Sequence, residues 1–272
     1  SDPASTGGLT GAITLSTGDA TNGASGAIVL GSGDAVGGAG GAMSMLVGSG
    51  DTGAGGSLTF KAGESTADHP AGTGGHVSIT TGSGTLTSSG DLVMRTAEAG
   101  TSGISGVVIL SSGKGTGGNS GDLYLGTGTA AGGSGGNIVV TVGSSNTGVG
   151  GTLTLSSGKS TGGNSGAIYI GSHSSTGGTG GDVSLTVGDG SSGVGGKVTI
   201  TAGKSTGASN ANGEGGDVEI TTGSGTRSKS GMMYLHTPDG GSNPGSDPAS
   251  TGGLTGAITL STGDATNGAS GA

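Results

Sequence analysis

Residues 136–150 read GNIVVTVGSSNTGVG and residues 151–165 read GTLTLSSGKSTGGNS, two renderings of one 15-residue phrase. Each opens on glycine, sets large aliphatic side chains third and fifth (Ile138 and Val140, Leu153 and Leu155), and places another glycine eighth. Outward from this stretch the phrase starts at Gly11, Gly26, Gly41, Gly56, Gly75, Gly90, Gly106, Gly121, Gly136, Gly151, Gly166, Gly181, Gly196, Gly216 and Gly231, then again at Gly256. Eleven of the fifteen spacings are 15 residues; the others are 19, 16, 20 and 25. Positions three and five are large and apolar in all fifteen units, from Ile13 and Leu15 to Met233 and Leu235. Position seven is small or β-branched (Thr17, Val47, Ala62, Thr81, Val142, Ser157, Val187), while positions two, four and six are mixed and often polar.

Apolar residues recurring at every second position are the mark of a half-buried strand, and no 3.6-residue pattern competes with it. The expected fold class is therefore all-β: a β-solenoid (β-helix) of fifteen 15-residue units. The rest of each unit is turn chemistry, with glycine at position eight in twelve of fifteen units, expected to supply positive φ at corners. Extra residues at 68–71, 208–211 and 238–246 read as loops bulging from a uniform stack.

Two longer periods enclose the 15-residue one. Every third unit carries a charge at position nine (Asp19, Glu64, Lys114, Lys159, Lys204) and a threonine at position eleven (Thr21, Thr66, Thr116, Thr161, Thr206), giving a 45-residue super-period. Residues 246–272 repeat residues 1–27 without a change, an offset of 245. The expected domain organisation is one module over 1–245 and the start of an identical one over 246–272. Residue 1 falls inside a repeat, so the natural N-terminus is expected upstream and the chain reads as a window onto a longer tandem array. If each unit were one coil, a module would advance roughly 72 Å; if three units formed one triangular coil, about 24 Å. The sequence leaves both open.

Composition bounds the function. Glycine supplies 73 of 272 residues, beside one Phe, three Tyr and neither Trp nor Cys. An ordinary globular core is out of reach with 28% hydrophobic residues and 1% aromatic, whereas a one-dimensional stack needs only a thin strip per repeat. The net charge of −9 and eight Lys plus Arg argue against nucleic-acid binding, which needs clustered basic charge. No apolar run approaches the roughly 18–20 residues of a membrane span.

His69, His76, His173 and His236 are scattered and read as surface residues. GGTGGD at 177–182 is similar to the calcium-binding nonapeptide of RTX β-rolls, but the period is 15 rather than nine and most units lack the aspartate. Asp91, Asp122, Asp182 and Asp217 read as a solvated face. No helix follows any glycine cluster to make a phosphate loop. Catalytic, cofactor-binding and metal site residues are therefore none, no cofactor is expected, and the chain reads as not an enzyme. Thr152 with Thr154, Thr199 with Thr201 and Ser78 with Thr80 resemble the Thr-x-Thr rows of insect antifreeze solenoids, though Lys61, Arg95, Ile109, Tyr124, Tyr169, Glu219 and Tyr234 interrupt the row.

The phrasing GGNIVVTVGSS, GGTLTLSSGKSTGGNSG and GGDVEITTGSGT resembles the giant Gly/Ser/Thr-rich tandem-repeat proteins predicted from microalgal genomes, and bacterial giant adhesins share the tandem-module logic. The resemblance implies a secreted or cell-surface β-solenoid and transfers no site residues. The expected function is a structural extracellular fibre or stalk that self-associates end to end or laterally with further copies. O-glycans on Ser and Thr are compatible with it, and nucleic acid or a membrane span is not expected. The alternative is a surface-binding solenoid, adhesin-like or ice-binding, that uses its outward Thr/Ser face.

Overall fold

A strand alternation specifies which side each side chain takes; whether another segment lies alongside is a separate matter. In the computed structural model, which describes residues 10–66, 72–206, 213–241 and 255–264, the first holds and the second does not. The alternation is visible in three contacts spanning two residues. The Tyr124 hydroxyl donates to the Asp122 carboxylate at 3.0 Å, and the Thr221 hydroxyl donates to the Glu219 carboxylate at 3.1 Å. The Tyr234 hydroxyl stands 3.5 Å from the Met232 sulfur. Positions two, four and six thus share a side, as in an extended limb.

Among the described residues, however, there is no strand and no helix. The all-β, β-solenoid expectation is overturned, and with it both coil geometries. The physical reason lies in what the limbs fail to bury. No described residue is buried, and the large apolar side chains stay open to solvent: Leu15 is 69% exposed, Phe60 65% and Ile170 74%. The chain exposes 26444 Å², where a compact monomer of its mass would expose roughly 10,000 Å². Two aliphatic side chains per unit offer too little apolar area to offset the ordering of so many glycines into a ladder. Glycine-rich strands also specify pairing register weakly.

The chain divides into two units, Ser1–Val139 and Val140–Ala272. Within each, order resides in a local junction repeated from one 15-residue unit to the next. The residue at position seven lies against the glycine that opens the following unit. A methyl group built on Gly26 would stand 3.4 Å from Thr17, on Gly41 3.4 Å from Ser32, on Gly75 3.4 Å from Ala62 and on Gly136 3.2 Å from Thr127. On Gly56, Gly151 and Gly196 it would collide with Val47, Val142 and Val187. The same contact recurs at all fifteen junctions, including Thr237 with Gly256 at 3.4 Å, where the spacing is 25 residues. Of the six half-buried residues among those described, five (Ala62, Thr81, Thr96, Ala202 and Thr237) occupy position seven, and the sixth is Gly240.

One hydrogen bond closes most of these junctions. The opening glycine donates its N–H to the position-eight carbonyl in eight cases, such as Gly75 to Gly63 at 2.9 Å, Gly151 to Gly143 at 3.2 Å and Gly231 to Gly223 at 2.9 Å. In four others the position-seven hydroxyl donates to the opening glycine's carbonyl: Thr17 to Gly26 (3.1 Å), Ser32 to Gly41 (2.8 Å), Thr127 to Gly136 (3.1 Å) and Ser172 to Gly181 (2.6 Å). The longer spacings Gly63 to Gly75 and Gly203 to Gly216 are closed at the same 2.9 Å. The added residues 68–71 and 208–211 lie outside the described residues, and the junctions that span them close as the others do.

Between limb and junction the backbone bends at positions eleven to thirteen, for example at 21–23, 116–118 and 191–193. Position ten is glycine, serine or alanine in every unit, and contacts in the structure bear on the first two. Where it is glycine, as at Gly84 and Gly190, a methyl group would sit 2.7 Å from the carbonyl oxygens of Ser88 and Val194. At two of the serines the hydroxyl accepts from the N–H three residues on, Ser145 from Gly148 at 2.9 Å and Ser160 from Gly163 at 3.0 Å. The expected positive φ at position-eight glycines is not found. Among the described residues it is confined to Gly23 and Gly37, at positions thirteen and twelve.

Candidate functional site

The units carry three kinds of exposed side chain: apolar pairs at positions three and five and hydroxyls at the even positions of the limb, and charges at position nine just after it. Each is held in place only by its own unit, since a junction fixes where the limb ends and the loop begins. The apolar pairs form the most regular feature. Met43 and Met45 are 57% and 59% exposed, Leu123 and Leu125 54% and 73%, and Leu153 and Leu155 54% and 69%. Side chains of this kind left in water are the observation that asks for an explanation.

The residues singled out for chemistry do not converge. His76, His173 and His236 are exposed, and His69 lies outside the described residues. Among the described residues no group of three or more His, Cys, Asp or Glu could hold a metal ion. The GGTGGD stretch takes part in a junction instead: Gly181 accepts the Ser172 hydroxyl at 2.6 Å, and Asp182 is exposed beyond it. Asp91, Asp122 and Asp217 are exposed as well, with Asp122 engaged by Tyr124. The hydroxyl pairs Thr152 with Thr154, Thr199 with Thr201 and Ser78 with Thr80 are exposed, and so are the residues that interrupt their row. An exposed ion pair joins Lys61 to Glu64 at 3.7 Å, and a shallow depression is lined by the four consecutive residues Arg95, Thr96, Ala97 and Glu98. No helix among the described residues is long and apolar enough to cross a membrane.

The sequence did hold a signal for the junction that strand reasoning passed over. Glycine is invariant at position one but yields to Ala97, His173 and Pro238 at position eight. The structure shows a neighbour there at every junction: an added methyl would collide with it at the three valines and stand 3.2–3.7 Å from it at the rest. At position eight a methyl group would meet nothing, as at Gly48, Gly82 and Gly223.

Compared with family models, with curated proteins and with solved structures, the chain matches none of them.

Proposed function

We propose that the chain is structural, extracellular and self-associating, a tandem repeat that works as a fibre or stalk. The observation that carries the proposal is the uncovered apolar pair in unit after unit, repeated at nearly constant spacing. Covering one such side chain fully stabilises an assembly by about 1.5–3 kcal/mol, and nothing among the described residues covers them. A second copy is the partner that matches this spacing along its whole length, because it carries the same one. The unchanged recurrence of 1–27 at 246–272 extends the match from module to module. The Gly/Ser/Thr-rich composition and the resemblance to giant tandem-repeat surface proteins support an extracellular setting, in which exposed Ser and Thr would be open to O-glycans.

Analytical ultracentrifugation of the 272-residue chain over a wide concentration range tests the proposal, with electron microscopy of the heaviest fraction. Reversible, concentration-dependent growth into elongated assemblies is the expected result. Replacing Leu123 and Leu125 by serine, with Leu153 and Leu155, should weaken it. A chain that stays monomeric at every concentration rules the proposal out.

A further inference from the structure

Resting on that self-association, we infer that the position-nine charges of every third unit set the register between neighbouring copies. Asp19, Glu64, Lys114, Lys159 and Lys204 are all exposed, and each is the first loop residue after its limb. Four of their five loops are closed by a hydrogen bond: Thr17 to Gly26 for Asp19, Gly75 to Gly63 for Glu64, Gly166 to Gly158 for Lys159, and Gly216 to Gly203 for Lys204. At the loop of Lys114 the Ser112–Gly121 contact takes that place. These charges therefore stand at one fixed place in the repeat, three units apart, in the sign order minus, minus, plus, plus, plus. Asp264, the counterpart of Asp19, begins the order again.

That order discriminates between alignments. Two copies lying parallel and in register would set five like charges side by side in every module. A shift of two steps opposes unlike charges at four of the five places, and so does antiparallel alignment without a shift. Up to residue 215 the balance of the other charges acts in the same sense, with Asp34 and Glu98 at position nine reinforcing the negative half. Asp189 and Asp239, also at position nine, dilute the positive half. Residues 11–105 hold seven carboxylates against two cations, whereas 106–215 hold four of each, so the acidic stretch repels itself more than it repels its neighbour. The Lys61–Glu64 pair does not withdraw Glu64 from the row, because both side chains are about three-quarters exposed, at 78% and 73%. Exposed charges act over about 10 Å at 0.1 M salt, so the row acts between chains lying side by side. A row of mixed and ordered sign suits a second copy of this chain, whereas a uniformly charged polymer would meet repulsion along part of it.

The test uses the whole 272-residue chain at low ionic strength, followed by sedimentation. Changing Lys114, Lys159 and Lys204 to glutamate makes the row uniformly negative. The concentration at which half the chain is assembled should then rise about tenfold. Adding Asp19→Lys, Glu64→Lys and Asp264→Lys to that variant restores the sign order in reverse and should restore assembly. If the triple variant assembles as readily as the parent, or the reversed row fails to rescue it, the register role is wrong while self-association stands. If the parent itself does not assemble, the proposed function falls first.

Discussion

How much room position one of the repeat leaves for a side chain depends on the residue at position seven of the preceding unit. The three valine junctions make the argument sharpest: at Gly56, Gly151 and Gly196 an added methyl would run into Val47, Val142 and Val187. Gly48, eight residues before Gly56, accepts the N–H of Gly56 at 3.4 Å, yet a methyl group there would meet nothing. Two glycines in one junction thus have opposite tolerance. Gly56→Ala should open the junction, which hydrogen exchange at residue 56 would register as protection falling about two- to tenfold, the range expected for one net hydrogen bond. Gly48→Ala should leave that protection intact or raise it, since alanine restricts the open chain. Equal effects of the two substitutions would show that steric room at position one does not explain its glycine.

At the scale of the element, the unit is an extended limb, a bend and a junction. The sequence made the limb and the bend legible. Alternation at Asp122, Leu123, Tyr124 and Leu125 gave the sidedness that the Tyr124–Asp122 contact shows, and the Gly/Ser/Thr run after position eight gave the bend. It did not make pairing legible, because alternation is a local property and pairing depends on the apolar area a partner limb would cover. The seventh position, small or β-branched in the sequence, is the residue that docks on the next unit. How the junction closes depends on its chemistry, and this too can be tested. Ser172 closes through its hydroxyl, while at Ser157 the backbone does so, Gly166 donating to Gly158 at 3.2 Å. Ser172→Ala should therefore loosen the 172–181 junction, and Ser157→Ala should leave the 157–166 junction closed. Amide and carbonyl chemical shifts at Gly181 and Gly166 would separate the two, and matching changes at both would contradict the distinction. Loop length matters far less: going from the eight residues of Gly48 to Gly56 to the thirteen of Gly203 to Gly216 costs about 0.4 kcal/mol in closure entropy, which accounts for insertions at this place.

For the whole molecule, the consequence is a chain whose order is many small events rather than one large one. A cooperative transition arises when a shared core couples all parts, so that losing one contact exposes the rest. Here the described residues include none that is buried, and the junction from Ser157 to Gly166 shares no atom with the one from Ser172 to Gly181. The candidate binding features follow the same rule, which is why no pocket or cluster of titratable groups could be read from the sequence: each exposed pair belongs to its own unit. The dilute chain in urea should accordingly lose its junctions gradually, with a shallow and nearly linear change in hydrogen-exchange protection. A sigmoidal, all-or-none transition at low concentration would require a coupling that these isolated junctions do not provide. Assembly changes the expectation, because copies lying side by side cover the apolar pairs of many units at once and couple them. The same chain, raised to concentrations at which it sediments as an assembly, should therefore acquire a steeper transition whose midpoint climbs with concentration, as mass action requires. A transition that remained gradual and independent of concentration would mean that association leaves Leu15, Phe60, Ile170 and their counterparts as exposed as they are in the single chain.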